Sequence, residues 1–183
     1  MALEQLMTPE GPQNGLYKPS TDYGSGTPIL RIDAFYDGAV TKLDKLKRVR
    51  VTDTESSLYG LRERDVVINR VNSIEYLGKS AIIPRLAEPT VFESNMMRFA
   101  IRPDVAEAGY VVQFLQSNFV KAQIQSASKN AVNQSSINQQ DVKAFQLNVP
   151  PLALQRDFLV RSSAASKLID AHRAALAQLN TLF

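Results

Sequence analysis

Cysteine is absent from the 183-residue sequence, so disulfides and thiolate metal sites are excluded, and a reducing, cytoplasmic setting is expected. Histidine occurs once, at His172, which is too few for a multi-histidine metal centre or a histidine-based catalytic pair. No run approaches the roughly 20 apolar residues that a membrane-spanning helix needs. The first residues, Met1-Ala-Leu-Glu-Gln-Leu, have neither a basic nor an apolar stretch of the kind a secretion signal carries. A large excess of one charge is missing too: 21 basic against 18 acidic residues leave +3. That balance excludes a polybasic binder but permits a local basic patch.

Catalytic signatures are also lacking. Tyr23-Gly24-Ser25-Gly26-Thr27 holds a Gly-x-Gly, but it runs into Pro28 rather than into a helix, so it is not a dinucleotide-binding turn. Asn148-Val149-Pro150-Pro151-Leu152 approaches the Asn-Pro-Pro-aromatic motif of amino-methyltransferases. The inserted Val149 and the missing aromatic break the match. The expectation is a protein that is not an enzyme and that holds no cofactor or metal.

A core is affordable, because 44% of residues are hydrophobic. Glycine and proline recur through residues 1–28, which predicts loops there rather than any long element. Residues 29–32 form a short apolar run suited to a strand, and Tyr36-Asp37-Gly38 supplies a turn. Residues 42–50 carry six charges among three apolar positions and fit either a solvated helix or an edge strand. Val66-Val67-Ile68 reads as a buried strand, with further strands over 80–84 and 95–102. The last alternates Met96, Arg98 and Ala100 against Met97, Phe99 and Ile101. Asp104 is the expected N-cap of one helix over 106–127, with Tyr110, Val111, Phe114, Leu115, Val120 and Ile124 on its apolar side.

Composition then shifts. Residues 113–140 contain seven Gln, four Asn and five Ser, with Lys121 and Lys129 as the only charges. A short strand is expected over 146–149. After Pro151, which suits a helix start, no glycine or proline interrupts 152–183, so one helix of about 48 Å is predicted. The fold class is α+β: a mixed globule over 1–149, then a long coiled-coil-type helix over 150–183.

Two polar segments suit base reading. Arg70, Asn72 and Ser73 follow the strand at 66–68, and Lys79 closes that loop. Arginine can fork onto guanine, asparagine onto adenine, and lysine can reach phosphate. Each also has an ordinary role, pairing a carboxylate or shaping a turn. In the amide-rich segment, Lys129, Asn133 and Gln134 are candidates for groove contact, while Ser135 and Asn138 are candidate helix caps. On the last helix Phe158, Ala165, His172 and Leu179 repeat every seven residues. Leu168, Ala175 and Leu182 repeat at an offset, and Ile169 and Leu176 widen the stripe. Such a stripe suits a partner helix, and its rival role is packing on the globule.

The sequence resembles one half of a specificity subunit of type I restriction–modification systems. The resemblance lies in Asn14-Gly15-Leu16-Tyr17-Lys18-Pro19, Gly26-Thr27-Pro28-Ile29-Leu30-Arg31-Ile32-Asp33, and Arg64-Asp65-Val66-Val67-Ile68-Asn69-Arg70 with Gly78-Lys79. It continues in Phe92-Glu93-Ser94-Asn95-Met96-Met97-Arg98. It ends in Ile137-Asn138-Gln139-Gln140-Asp141-Val142-Lys143 leading to Leu147-Asn148-Val149-Pro150-Pro151-Leu152 and Gln155. Two positions depart from the family pattern: Arg64 stands where glycine is usual, and Leu154 where an acidic residue is usual.

The resemblance implies a non-catalytic target recognition domain plus a spacer helix. The domain would read a half-site of double-stranded DNA through Arg70, Asn72, Ser73, Asn133 and Gln134, with Lys18, Lys79 and Lys129 on phosphates. The helix would pair with a second copy and dock methyltransferase and restriction subunits. The rivals are a recognition domain cut from a fused restriction–methylation enzyme and a protein–protein interaction module.

Overall fold

The computed structural model describes residues 1–131 and 134–180 and has an α+β architecture. Its strands are β1 (Gln13–Asn14), β2 (Tyr23–Leu30), β3 (Phe35–Tyr36), β4 (Gly38–Val40), β5 (Lys47–Val49) and β6 (Val66–Asn69). They continue as β7 (Val71–Asn72), β8 (Ser80–Ile82), β9 (Val91–Phe92), β10 (Met96–Phe99), β11 (Lys129–Ala131) and β12 (Gln134–Ser136). The helices are α1 (Asp53–Tyr59), α2 (Ala108–Leu115), α3 (Asn118–Ala127), α4 (Gln139–Ala144) and α5 (Leu152–Asn180).

The β-branched run at 66–68 is central, as a strand buried on both faces should be. It forms β6 in the sheet β1-β10-β6-β8-β4-β3, where β4 and β8 run parallel and the other neighbours antiparallel. Alternation sorts its side chains. Val66 and Ile68 join Met97 and Phe99 beneath α2, α3 and α4, while Val67 turns to the other face with Phe35, Ile83, Phe92 and Met96. A second sheet, β5-β2-β9, closes over Ile29, Val49 and Val91.

Four expectations need correction. The glycine-rich N-terminal part contains an eight-residue strand, β2. Gly24 (φ +119°) and Gly26 (φ +100°) let it bulge between Tyr23 and Thr27 and still pair with β5. The charged stretch 42–50, open in sequence between a solvated helix and an edge strand, needs no correction: it is a 3-10 turn and the edge strand β5. The single helix over 106–127 is two helices. Gln116 ends α2, Ser117 takes an extended backbone (ψ 153°), and its hydroxyl accepts the Val120 N–H to start α3. Asp104 caps neither: Glu107 stands at the start of α2, and Asp104 pairs with Arg102 at 2.8 Å. Finally, 146–149 is not a strand but an extended segment with one bridge to Ala2, locked where the Met1 ammonium donates to the Leu147 carbonyl at 2.8 Å.

Helix α5 begins just after Pro151 and runs 29 residues, about 43 Å. Its root is fastened to the globule. Leu159 packs on Gly109, where an added Cβ would meet Leu159 Cδ2 at 3.2 Å, and Phe158 meets Tyr110 edge-on at 5.5 Å between ring centroids. Residues 163–179 are all exposed. Among the described residues, no helix is long and apolar enough to cross a membrane.

Candidate nucleic-acid interface

Strand β6 ends at Asn69, and the chain makes an excursion that returns at Gly78. The Gly78 N–H donates to the Asn69 carbonyl (3.0 Å) and the Asn69 N–H to the Lys79 carbonyl (2.8 Å), closing the loop at its base. Gly78 holds φ +73° there, against Ile124. The first residues of the loop form β7, which does not extend the main sheet. It pairs antiparallel with β12, Ser135 opposite Asn72 and Ser136 opposite Val71, and β12 pairs with β11. Two polar segments separated by more than fifty residues in sequence thus share one small sheet. In that sheet Asn72 stands opposite Ser135, the neighbour of Gln134, while Lys129 lies on the far strand opposite Ser136. The amide-rich segment turns into α4 through Asn138, whose side chain accepts from the Gln140 and Asp141 N–H groups, so Asn138 is a cap. Ser135 is not a cap but the buried centre of β12.

The candidate readers differ in what their side chains are doing. Lys129 and Gln134 are exposed; Asn72 and Ser73 are half-buried. Asn72 Oδ1 accepts the Ser73 N–H at 2.8 Å, so a two-point contact with adenine would require that bond to open. Arg70 is turned inward: Nη1 donates to the Ser94 carbonyl at 3.1 Å and Nε is buried. Lys18 donates to Glu55 at 2.8 Å and lies 3.8 Å from Asp22. Glu55 belongs to the capping box of α1, and the Lys18 ammonium holds its carboxyl below the usual carboxylate range. Asn133 and Leu182 lie outside the described residues.

Lys79 is half-buried against aromatic rings. Its ammonium donates to the Ile32 carbonyl at 2.7 Å and faces the rings of Tyr36 (3.9 Å), Phe35 (4.9 Å) and Tyr76 (5.5 Å). Burial lowers its pKa, while Asp33 pulls the other way. Sequence reasoning missed Tyr36 and Tyr76; two exposed tyrosines flanking a lysine in a turn-rich region were the available signal. A cavity of about 260 Å³ opens between the loop and the β3–β4 hairpin, lined by Tyr36, Tyr76, Lys79 and Lys121 among others. A larger open cleft of about 960 Å³ lies elsewhere, around Gln13, Asp53, Arg62, Asp65 and Arg98, and none of the candidate readers lines it. There Arg98 lies 3.5 Å from Asp65, whose carboxyl is pushed up by burial. Among the described residues, no group of three His, Asp or Glu side chains is placed to hold a metal.

The α5 stripe is the second candidate surface. Phe158 is on it but also touches the globule; Ala165, Leu168, Ile169, His172, Ala175, Leu176 and Leu179 are exposed. At about 100° per residue the stripe lies roughly a quarter turn from the side that docks on α2. The docking side is set by Gln155, which is fully buried. Its Oε1 accepts the Glu107 N–H (2.9 Å), and its Nε2 donates to the Pro150 carbonyl (2.8 Å). Glu107 in turn accepts from Arg156 and Arg64, each at 2.8 Å, and these two cations lower its pKa. Arg64 stands at φ +70°, which accounts for the usual glycine at that position and gives the arginine its aim at Glu107.

No family model matches the chain. It is 29% identical over 170 residues to the putative type I restriction enzyme MjaX specificity subunit of Methanocaldococcus jannaschii, covering 92% of this chain and 40% of that protein. It is 24% identical over 151 residues to the type I restriction enzyme EcoKI specificity subunit of Escherichia coli, covering 81% and 32%. The HsdS subunit from Thermoanaerobacter tengcongensis superposes with a TM-score of 0.69 at 16% identity, over 97% of this chain and 44% of that one. The type I restriction–modification S subunit from M. genitalium superposes at 0.60 and 10% identity, over 93% and 39%. The chain spans less than half the length of these relatives.

Proposed function

Starting from this likeness to one half of a type I specificity subunit, we propose that the chain is a DNA-reading half-unit without catalysis of its own. Residues 1–149 form the recognition globule and 150–183 the spacer. The globule reads a half-site of double-stranded DNA. The α5 stripe pairs with the helix of a second copy and offers a seat for methyltransferase subunits, with restriction subunits joining them. The observation that carries this reading is the sheet β11-β12-β7, which joins the two polar segments in one small sheet. Side chains there can present donors and acceptors to base edges, while the main sheet behind holds them in place.

Within that surface the roles divide by exposure. Ser73, Gln134 and, after its internal bond opens, Asn72 meet bases; Asn133 belongs to the same segment. Lys129 meets phosphate. Arg70, Lys18 and Lys79 already have partners inside the protein and act first by shaping the surface. Two copies paired about a two-fold axis through α5 read a symmetric site.

Selection from randomised duplex DNA at two salt concentrations, on protein of measured mass, tests the reading. Salt-sensitive enrichment of two symmetric half-sites is the expected result. Lys129→Ala should weaken all sequences alike and reduce the slope of log K against log salt by about 0.9. Absence of any enriched sequence, both alone and with methyltransferase subunits present, would refute it.

A further inference from the structure

We infer that Lys79 is a positioning residue for sequence reading: its ammonium clasps the loop behind β7 to the β3–β4 hairpin and thereby sets where Asn72 and Ser73 stand. The inference rests on the DNA-reading role above and names a determinant of its specificity.

The clasp joins the body of the loop to the hairpin, beyond the β4–β8 pairing that links their bases. Tyr76 lies inside the excursion, whereas Phe35, Tyr36 and Ile32 belong to the hairpin and its approach. One ammonium serves both sides. Within the loop, the Tyr76 and Leu77 N–H groups both donate to the Ser73 carbonyl at 3.0 Å, so whatever holds Tyr76 also holds Ser73. The backbone adds one bond at the same place, the Lys79 N–H donating to the Tyr76 carbonyl at 3.2 Å. Asn69, fully buried beneath the loop, reaches the Tyr76 carbonyl at 3.4 Å, and among the described residues its Oδ1 has no partner. Turning Lys79 outward to a phosphate would forfeit the Ile32 bond and the ring contacts together. The geometry therefore favours an internal role over the phosphate contact expected from sequence.

Lysine suits this role better than arginine. A compact ammonium fits over the Tyr36 ring while donating to one carbonyl, whereas a planar guanidinium needs a wider slot. Methionine keeps much of the length and loses the charge.

The test compares Lys79→Met, Lys79→Arg and Tyr76→Leu with the wild-type chain. Tyr76 is exposed enough for the last to leave the core intact. Two measurements are made: amide hydrogen exchange at Tyr76 and Leu77 without DNA, and affinity for the selected site and its single-base variants across a salt series. For Lys79→Met we expect exchange at both amides to rise about tenfold, the scale of a lost half-buried cation–ring contact. Discrimination among single-base variants should fall by a similar factor while the salt slope stays unchanged. Tyr76→Leu should move both readouts the same way by less. A salt slope lowered by about 0.9 with discrimination intact would overturn the clasp in favour of a phosphate contact. Unchanged exchange in both Lys79→Met and Tyr76→Leu would overturn it too. If the wild-type chain selects no sequence, either alone or with methyltransferase subunits present, the DNA-reading role falls and the specificity role of Lys79 with it; hydrogen exchange still decides whether the clasp exists.

Discussion

Replacing Gln155 by alanine removes the buried polar link between α5 and the globule, keeps the outer Arg156–Glu107 ion pair, and leaves two groups behind. The Glu107 N–H loses its acceptor and the Pro150 carbonyl its donor, in a place where the Gln155 side chain excludes water. Each orphaned group costs about 1–3 kcal/mol. The pair therefore predicts a loss of about 2–4 kcal/mol, allowing for partial solvation of the Glu107 amide. For a chain of this size that corresponds to roughly 5–15 °C in Tm. Urea denaturation followed by circular dichroism, with Tm from the same signal, measures it. Gln155→Glu separates geometry from charge. A buried carboxyl has a raised pKa, so its protonated form, able to donate to Pro150, is favoured in the folded state. Its stability is thus highest at acid pH and falls as pH rises through that raised pKa. An alanine variant melting within about 2 °C of wild type, or a glutamate variant that gains stability with rising pH, would refute the reasoning.

Gly15→Ala should be worse than an ordinary surface change: an added Cβ would sit 2.1 Å from the Glu93 carbonyl oxygen, backbone against backbone. A loss of at least about 3 kcal/mol is expected on denaturation. Glu107→Gln bears on acid stability. Because Arg156 and Arg64 depress the Glu107 pKa, its contribution is present above the ordinary carboxylate range and is lost as pH falls through the depressed value. The variant should therefore show a shallower fall of Tm with acid than wild type, and a curve of equal steepness would count against the ion-pair node. Leu168→Asp with Leu176→Asp should abolish self-association in sedimentation while leaving the globule's melting unchanged, since both leucines are exposed in the isolated chain. A drop in monomer Tm would show that the stripe packs on its own globule.

What could be read from the sequence was whatever short-range chemistry decides. The β-branched run of β6, the alternation of β10, the Asp37-Gly38 turn between β3 and β4, the Asn138 cap and the helix start after Pro151 all follow from neighbours within a few residues. Where short-range signals failed, a local conformational option displaced them. Glycines that read as loop gave β2 its bulge, and Ser117, read as one more polar helix residue, capped a new helix. The site was legible as two segments but not as one surface, because the pairing of β7 with β12 spans more than fifty residues. The orientation of the cations was illegible for the same reason. Arg70, Lys18 and Lys79 find their partners 24, 37 and 47 residues away, and periodicity carries no information about such contacts.

The exposed part of α5 behaves as a lever. From residue 163 to 180 it projects about 26 Å beyond its last support. A change of about 10° at the root would carry the tip some 4–5 Å, more than the roughly 3.4 Å between successive base pairs. Angular play at Gln155, Gly109 and the Glu107 node is therefore magnified into a positional error of a whole base-pair step. Their close packing sets the tolerance within which anything carried by the far end of the helix can be placed relative to the globule.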